Sequence, residues 1–312
     1  MVSAATTPQV LLSEFTVLQT KINKPQPKAD WIKRPRLSTQ LTHGLNRPLI
    51  LLSAPAGFGK STALAQWLTQ TPLPSAWISL DESDNDLFVF LTYLTAAIQG
   101  IFPGTLAQSA QLRRALQRPP LAHLASCLIN ELAELPSDFV LVLDDYHAVH
   151  EPAIHDLLTE LIEYAPRNTH LVLAARTDPP LALPKLRARR ELLELRAADL
   201  RFTHEETQAF LASVKGDGIT PRVAEALEVH SEGWIVGLRL GVLSVGESEN
   251  PDELLSTLKA GNPRHAMDFL LTEVLVRQAP PVQNFLLRTS ILDRLNGDLC
   301  DVVTGNLEQI PS

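Results

Sequence analysis

Cysteine is scarce: the 312-residue chain holds two, Cys127 and Cys300, far apart and in no metal-ligand spacing. Two thiols cannot build a disulfide framework, which excludes the small stapled secreted scaffolds and fits a reducing compartment. Long apolar runs are missing too. The longest, such as residues 49–52 and 139–143, fall far short of a membrane span. The first twenty residues, MVSAATTPQVLLSEFTVLQT, lack a basic start and an extended apolar stretch, so they do not read as a signal peptide. Positive charge is in deficit, with 27 Lys and Arg against 35 Asp and Glu and a formal net charge of -8. An acidic chain is a poor candidate for wrapping nucleic acid over its whole surface. No segment repeats at a period of roughly 20–50 residues. His147, His150 and Glu151 do not match H-E-x-x-H, and Pro152 interrupts any helix that would carry them. These absences leave a soluble protein, expected in the cytoplasm and without membrane contact.

What is present is ample apolar material, 45% hydrophobic residues against 20% charged, and length for about two domains. Residues 1–30 are weakly patterned and read as a flexible terminus, followed by an extended arm. From Pro48 onward, strand-like and helix-like blocks alternate. PLILLS (48–53), SAWISL (75–80), DFVLVLDD (138–145), THLVLAAR (169–176) and ELLEL (191–195) read as strands. Helical patterns lie between them, including DLFVFLTYLTAAIQGIF and stretches near 120–135 and 152–164. Such alternation predicts an α/β domain with a parallel sheet over 31–203. Past Leu200 the strand signal fades. Thr203 and Glu206 form a T-x-x-E capping box that opens a helix through about Ser213. Helices near 221–230 and 234–245 complete a helical region over 204–262, and 263–312 is helical again.

The chemistry concentrates at three places. In SAPAGFGKST (53–62), a glycine-rich loop joins a strand to a helix, the context a phosphate-binding loop requires. Backbone N–H groups of Ala56, Gly57, Phe58, Gly59 and the helix start through Thr62 would cradle phosphates, and Lys60 would reach the β- and γ-phosphates. Ser61 would place its hydroxyl on Mg²⁺. Ala54 stands where the pattern has its first glycine, a place that needs a small residue. The strand LVLDD ends in two acids: Asp144 to hold Mg²⁺, and Asp145 to orient or deprotonate an attacking water. Arg176 closes the strand LVLAAR, and ligands of open α/β sheets sit beyond the carboxyl ends of the strands. The basic run Lys185, Arg187, Arg189, Arg190, Arg196, Arg201 alternates with leucines and acids, which favours a solvated face over a nucleic-acid patch. One of these arginines could instead reach the nucleotide.

These residues together resemble the ATPase region of the MalT-like, LuxR-related large transcriptional activators, within the STAND class of signalling P-loop NTPases. The resemblance is carried by KRPRL (33–37), SAPAGFGKST, WISLDESDND (77–86), LVLDDYH (141–147), the block 173–203, EGWIVGLRL (232–240) and the stretch 267–305. It implies a five-stranded parallel sheet in the order 5-1-4-3-2, a helical lid (204–262), and the start of a winged-helix module (263–312). It also implies an ATP/ADP switch: ADP in a closed monomer, exchange to ATP favoured by an inducer, self-association in the ATP state, and slow Mg²⁺-dependent hydrolysis as reset. By the same transfer Arg176 is a first sensor, and the arm (Arg34, Arg36) and Gly233-Trp234-Ile235 help enclose the adenine. Ile235 stands where relatives often carry proline. The family continues with a helical-repeat sensor domain and a DNA-binding helix-turn-helix, and this chain ends before both, so inducer and DNA contacts are assigned to those regions. Two other readings stay open on the residues alone: a small-molecule phosphotransferase, and an ADP-locked scaffold that never hydrolyses.

Overall fold

A computed structural model of the chain describes residues 16–28, 30–113, 119–214, 220–246, 275, 279–292 and 297–304. Its centre is a sheet of β1 (Leu49–Ser53), β2 (Ser75–Ser79), β3 (Phe139–Asp144), β4 (Thr169–Ala175) and β5 (Leu192–Arg196). The order is β2-β3-β4-β1-β5 and every pairing is parallel. This is the 5-1-4-3-2 order expected from the family resemblance. Strands β1 and β3 are buried at every position, as their unbroken apolar runs require of a sheet covered on both faces.

Successive side chains leave a strand on opposite faces, so each strand feeds two cores. Leu49, Leu51, Leu141, Leu143, Leu171 and Leu173 enter one core; Ile50, Leu52, Val140, Val142, Val172 and Ala174 enter the other. The first core is closed by α3 (Leu87–Gln99), α5 (Leu121–Ala133) and α6 (Pro152–Glu163), with the short α4 (Ala107–Arg113) against α3 and α5. Asp86 starts α3 by accepting from the N–H groups of Phe88 (2.8 Å) and Val89 (3.1 Å). The second core is closed by α1 (Pro35–Gly44) and α2 (Lys60–Gln70), whose Leu37, Leu41, Leu64 and Trp67 are fully buried.

Helix α1 is a departure from the sequence reading, which left this stretch as an extended arm. Pro35 occupies its first turn, where proline's fixed φ suits a helix start and its missing N–H is not needed. The supposed flexible terminus also differs from residue 16 on. Gln19–Ile22 forms a 3-10 turn, and the buried Lys21 donates to Asp84 at 2.6 Å. Its charge pairs with the Asp84 carboxylate, a long-range partner that a local sequence pattern does not reveal.

Helix α7 (Leu183–Arg189) precedes β5, and after β5 the chain continues through α8 (Ala197–Leu200) and α9 (His204–Ser213). The capping box forms as expected: Glu206 N–H donates to Thr203 Oγ1 and Thr203 N–H to Glu206 Oε2, both at 3.2 Å. The chain divides into two compact units after Ser213, ten residues beyond the boundary read from sequence. The cause is Glu206, which fastens α9 to the arm of the first unit, as described below. In the second unit the described helices are α10 (Pro221–Ser231), α11 (Ile235–Gly246), α12 (Pro280–Thr289) and α13 (Gly297–Thr304). The region 247–262, read from sequence as the end of the helical lid, lies outside the described residues.

Candidate functional site

Between β1 and α2 the loop turns through Gly57 (φ 82°) and Gly59 (φ 75°). Both lie in the left-handed region, where a side chain would be strained. Ala54 does not have a positive φ, so a methyl group costs the backbone nothing there. Instead that methyl is buried in the second core, and its N–H donates to the Ala175 carbonyl at 3.2 Å. No side chain caps the start of α2. Its first N–H groups, with the helix dipole behind them, therefore face outward as anion donors.

Lys60 is buried and donates to the carbonyls of Ala54 (2.6 Å) and Pro55 (3.0 Å). Burial is the main force on its ammonium, pulling the pKa down to about 8; Asp145 and Asp144 oppose this and Arg176 adds to it. Those four charges are the ones named from sequence, drawn from α2 and from the ends of β3 and β4. The topology explains the meeting. All strands run parallel, so every carboxyl end opens on the same edge of the sheet.

Asp144 is the last residue of β3 and only 4% exposed. Burial, joined by the Asp145 charge, pushes its pKa up to about 6, while hydrogen bonds from Ser61 and from the Asp145 N–H oppose the rise. Its Oδ1 has no hydrogen-bond partner. A buried carboxylate oxygen without a donor, next to a P-loop serine hydroxyl, is a hard oxygen pair suited to a divalent cation. Asp145 takes a left-handed conformation (φ 55°, ψ 35°), which aspartate tolerates better than most residues. The turn lifts its carboxylate out of the strand to half exposure, with His147 Nδ1 3.8 Å away. Tyr146 behind it is buried, its hydroxyl 2.6 Å from His155 Nδ1.

The two arm arginines are engaged within the chain. Arg34 is buried and donates to Glu206 Oε2 (3.1 Å) and to the Leu200 and Arg201 carbonyls (2.6 and 2.9 Å). Burial lowers its pKa to about 10 against the pull of Glu206. Arg36 donates to Glu206 Oε1 (2.9 Å) and to the Asp199 carbonyl. Both guanidinium groups thus hold the chain around α8 and α9, a role the T-x-x-E signal did not foretell. Four members of the basic run are ion-paired: Lys185 and Arg189 meet Glu163, while Arg187 and Arg196 meet Glu194 and Asp178. Glu151, grouped with two histidines in sequence, caps α6 through the Ala153 N–H.

Gly233 and Trp234 belong to the second unit. Glu232 and Gly233 turn with positive φ between α10 and α11, and the Trp234 ring lies over Gly237, where a Cβ would come within 2.5 Å of it. Ile235 is the first residue of α11, a position that suits proline and isoleucine alike.

Comparison with known proteins agrees with this architecture. Residues 271–309 match the MalT winged helix domain family. Over 295 residues, 93% of this chain, it is 36% identical to the HTH-type transcriptional regulator MalT of Yersinia pestis (strain Pestoides F) and 35% to that of Yersinia enterocolitica. The chain spans about a third of the length of these relatives, 32%. A Walker-type ATPase of Pyrococcus abyssi shares the fold with a TM-score of 0.59 at 16% identity, over 92% of this chain and 88% of that one. A STAND protein with a tetratricopeptide repeat sensor from Pyrococcus horikoshii does so at 0.51 and 16%, over 85% and 39%. The chain is thus similar to MalT over most of its own length, and its fold is that of a P-loop NTPase.

Proposed function

We propose that this MalT-like chain is a signalling ATPase module that binds ATP or ADP with Mg²⁺ and serves as the regulatory part of a LuxR-type transcriptional activator. The observation that carries the reading is the convergence of Lys60, Asp144, Asp145 and Arg176, with Asp144 Oδ1 buried and without a donor. The loop N–H groups from Ala56 to Thr62 hold the phosphates, and Lys60 exchanges its two carbonyl partners for phosphate oxygens. Ser61 and Asp144 would hold Mg²⁺, which would supply charge neutralisation for the phosphates. Asp145 accepts a proton from the attacking water, and Arg176 distinguishes a γ-phosphate from its absence. Hydrolysis is slow and resets the switch, and self-association belongs to the ATP state. The inducer acts through a sensor region, and DNA is reached through a helix-turn-helix, as in regulators of this type.

Two variants of the 312-residue chain test the reading by calorimetry and by phosphate release. Lys60→Ala is expected to weaken nucleotide binding by about 100-fold, nearly 3 kcal/mol. Asp145→Asn is expected to bind ATP within about threefold of the parent yet turn over at least about 100-fold more slowly, the usual size of a general-base effect. Unchanged binding in the first variant would remove the P-loop from the mechanism; unchanged turnover in the second would remove Asp145.

A further inference from the structure

The carboxylate of Asp178 joins three strand ends, and neither the phosphate loop nor the acid pair accounts for it. Asp178 lies two residues after Arg176, past the end of β4. Its Oδ1 accepts from Ser53 Oγ at 2.8 Å and from Arg196, whose other nitrogen donates to Oδ2 at 3.0 Å. Ser53 ends β1 and Arg196 ends β5. The three strands are neighbours, with Ser53 in register with Ala175 on one side and Arg196 on the other. Arg187 approaches Asp178 at 3.5 Å and shares Glu194 with Arg196. The next residue, Ala54, is bonded to Ala175 and accepts from Lys60. An unbroken chain of contacts therefore runs from Arg187 and Arg196 through Asp178 and Ser53 to the phosphate-loop lysine.

Stability alone is a weak reason for this arrangement. The Asp178 and Arg196 side chains are 45% and 36% exposed, and ion pairs so open to water and salt contribute little to folding. What the contacts do is geometric. The four-residue span from Ala175 to Asp178 is held at both ends, by the β4 ladder and by the Asp178 carboxylate. Pro179 and Pro180 follow at once with fixed φ. Arg176 sits inside that span.

We propose that Asp178 is a positioning residue: by clamping the segment after β4 to Ser53 and Arg196, it holds Arg176 in register with the phosphate loop and so sets the discrimination between nucleoside triphosphate and diphosphate. The proposal rests on the nucleotide-binding reading above and deepens it. Asp178 touches no nucleotide itself; it acts through Arg176.

The test measures Kd for ADP and for a non-hydrolysable ATP analogue, with Mg²⁺, on the 312-residue chain and on Arg176→Ala, Asp178→Ala and the double variant. Asp178→Ala is expected to lose about fivefold or more of the triphosphate preference, with ADP affinity changed less than about twofold and Tm by no more than about 2 °C. In the Arg176→Ala background it is expected to change the preference no further, because neighbouring residues that act as one unit are not additive. Ser53→Ala, a milder change that leaves the Arg196 pair in place, is expected to move the preference in the same direction by less. A preserved preference in Asp178→Ala, or a loss that adds in full to that of Arg176→Ala, overturns the proposal. A chain that binds neither nucleotide overturns the underlying reading as well, an outcome distinct from binding with an unaltered preference.

Discussion

At the scale of single residues, the site is assembled from groups held in costly states. Asp144 is a carboxylate pushed up to about 6 chiefly by burial, whereas in an unfolded chain it ionises near its ordinary value of 3.8. The unfolded chain therefore releases its proton first as pH rises. Folding stability falls between about pH 4 and about pH 6 and stays lower above that, by about 3 kcal/mol at most. Asp144→Asn removes this cost. In EDTA, urea denaturation is expected to find the variant more stable than the parent at pH 7 by about 1–3 kcal/mol, and equal to it near pH 4. A variant less stable than the parent at pH 7 would mean that the carboxylate is satisfied in the folded chain. On the proposed reading the cost has a use: Asp144 and Ser61 would together offer oxygen ligands to a phosphate-bound cation. Asp145 adds a left-handed backbone to the same strand end, another local cost of the kind that gathers at functional sites.

At the scale of elements, the most consequential contact is the three-sided one made by Glu206. It closes the capping box of α9 and receives both arm arginines, so one carboxylate joins the start of α1 to the helix after the sheet. Glu206 and Arg34 are both buried, and removing one partner of a buried pair strands the other charge. Glu206→Ala is expected to destabilise the first unit by about 3–5 kcal/mol, lowering Tm by about 10 °C. Calorimetric melting checks this, and a shift under about 2 °C would show that water reaches the cluster. The sequence announced both halves of this contact, KRPRL and T-x-x-E. It could not announce their meeting, because residues about 170 apart carry no local signal of contact. Helix α1 escaped notice for a local reason. Its buried positions Leu37 and Leu41 repeat only twice, too short a period to outweigh the flanking lysine, arginines and prolines.

At the scale of the whole molecule, the proposed switch makes a mass prediction. With Mg²⁺ and ATP, the hydrolysis-blocked Asp145→Asn chain is expected to sediment as a larger species than the same chain with ADP; equal masses would sink self-association as the output. This measurement is independent of turnover, so it separates a switch from a scaffold that binds nucleotide without responding. Much of the architecture was legible beforehand. Short apolar runs bounded by turn signals fit strands buried on both faces, a strand followed by G-x-G-K-S fits a tight turn into a helix, and the 3.6-residue period marked α3, α5 and α6 to within about three residues. Those features arise from interactions between near neighbours, which sequence displays directly. Strand order came from the block-by-block likeness to relatives, not from any one block. What only the tertiary structure decided are the contacts between distant segments: Lys21 on Asp84, Arg34 and Arg36 on Glu206, Asp178 on Ser53 and Arg196. Charged side chains are long and many, and each has numerous possible partners in the sequence. Only the folded backbone, by bringing specific strand ends and helix starts within a few ångströms, selects the pairs that form.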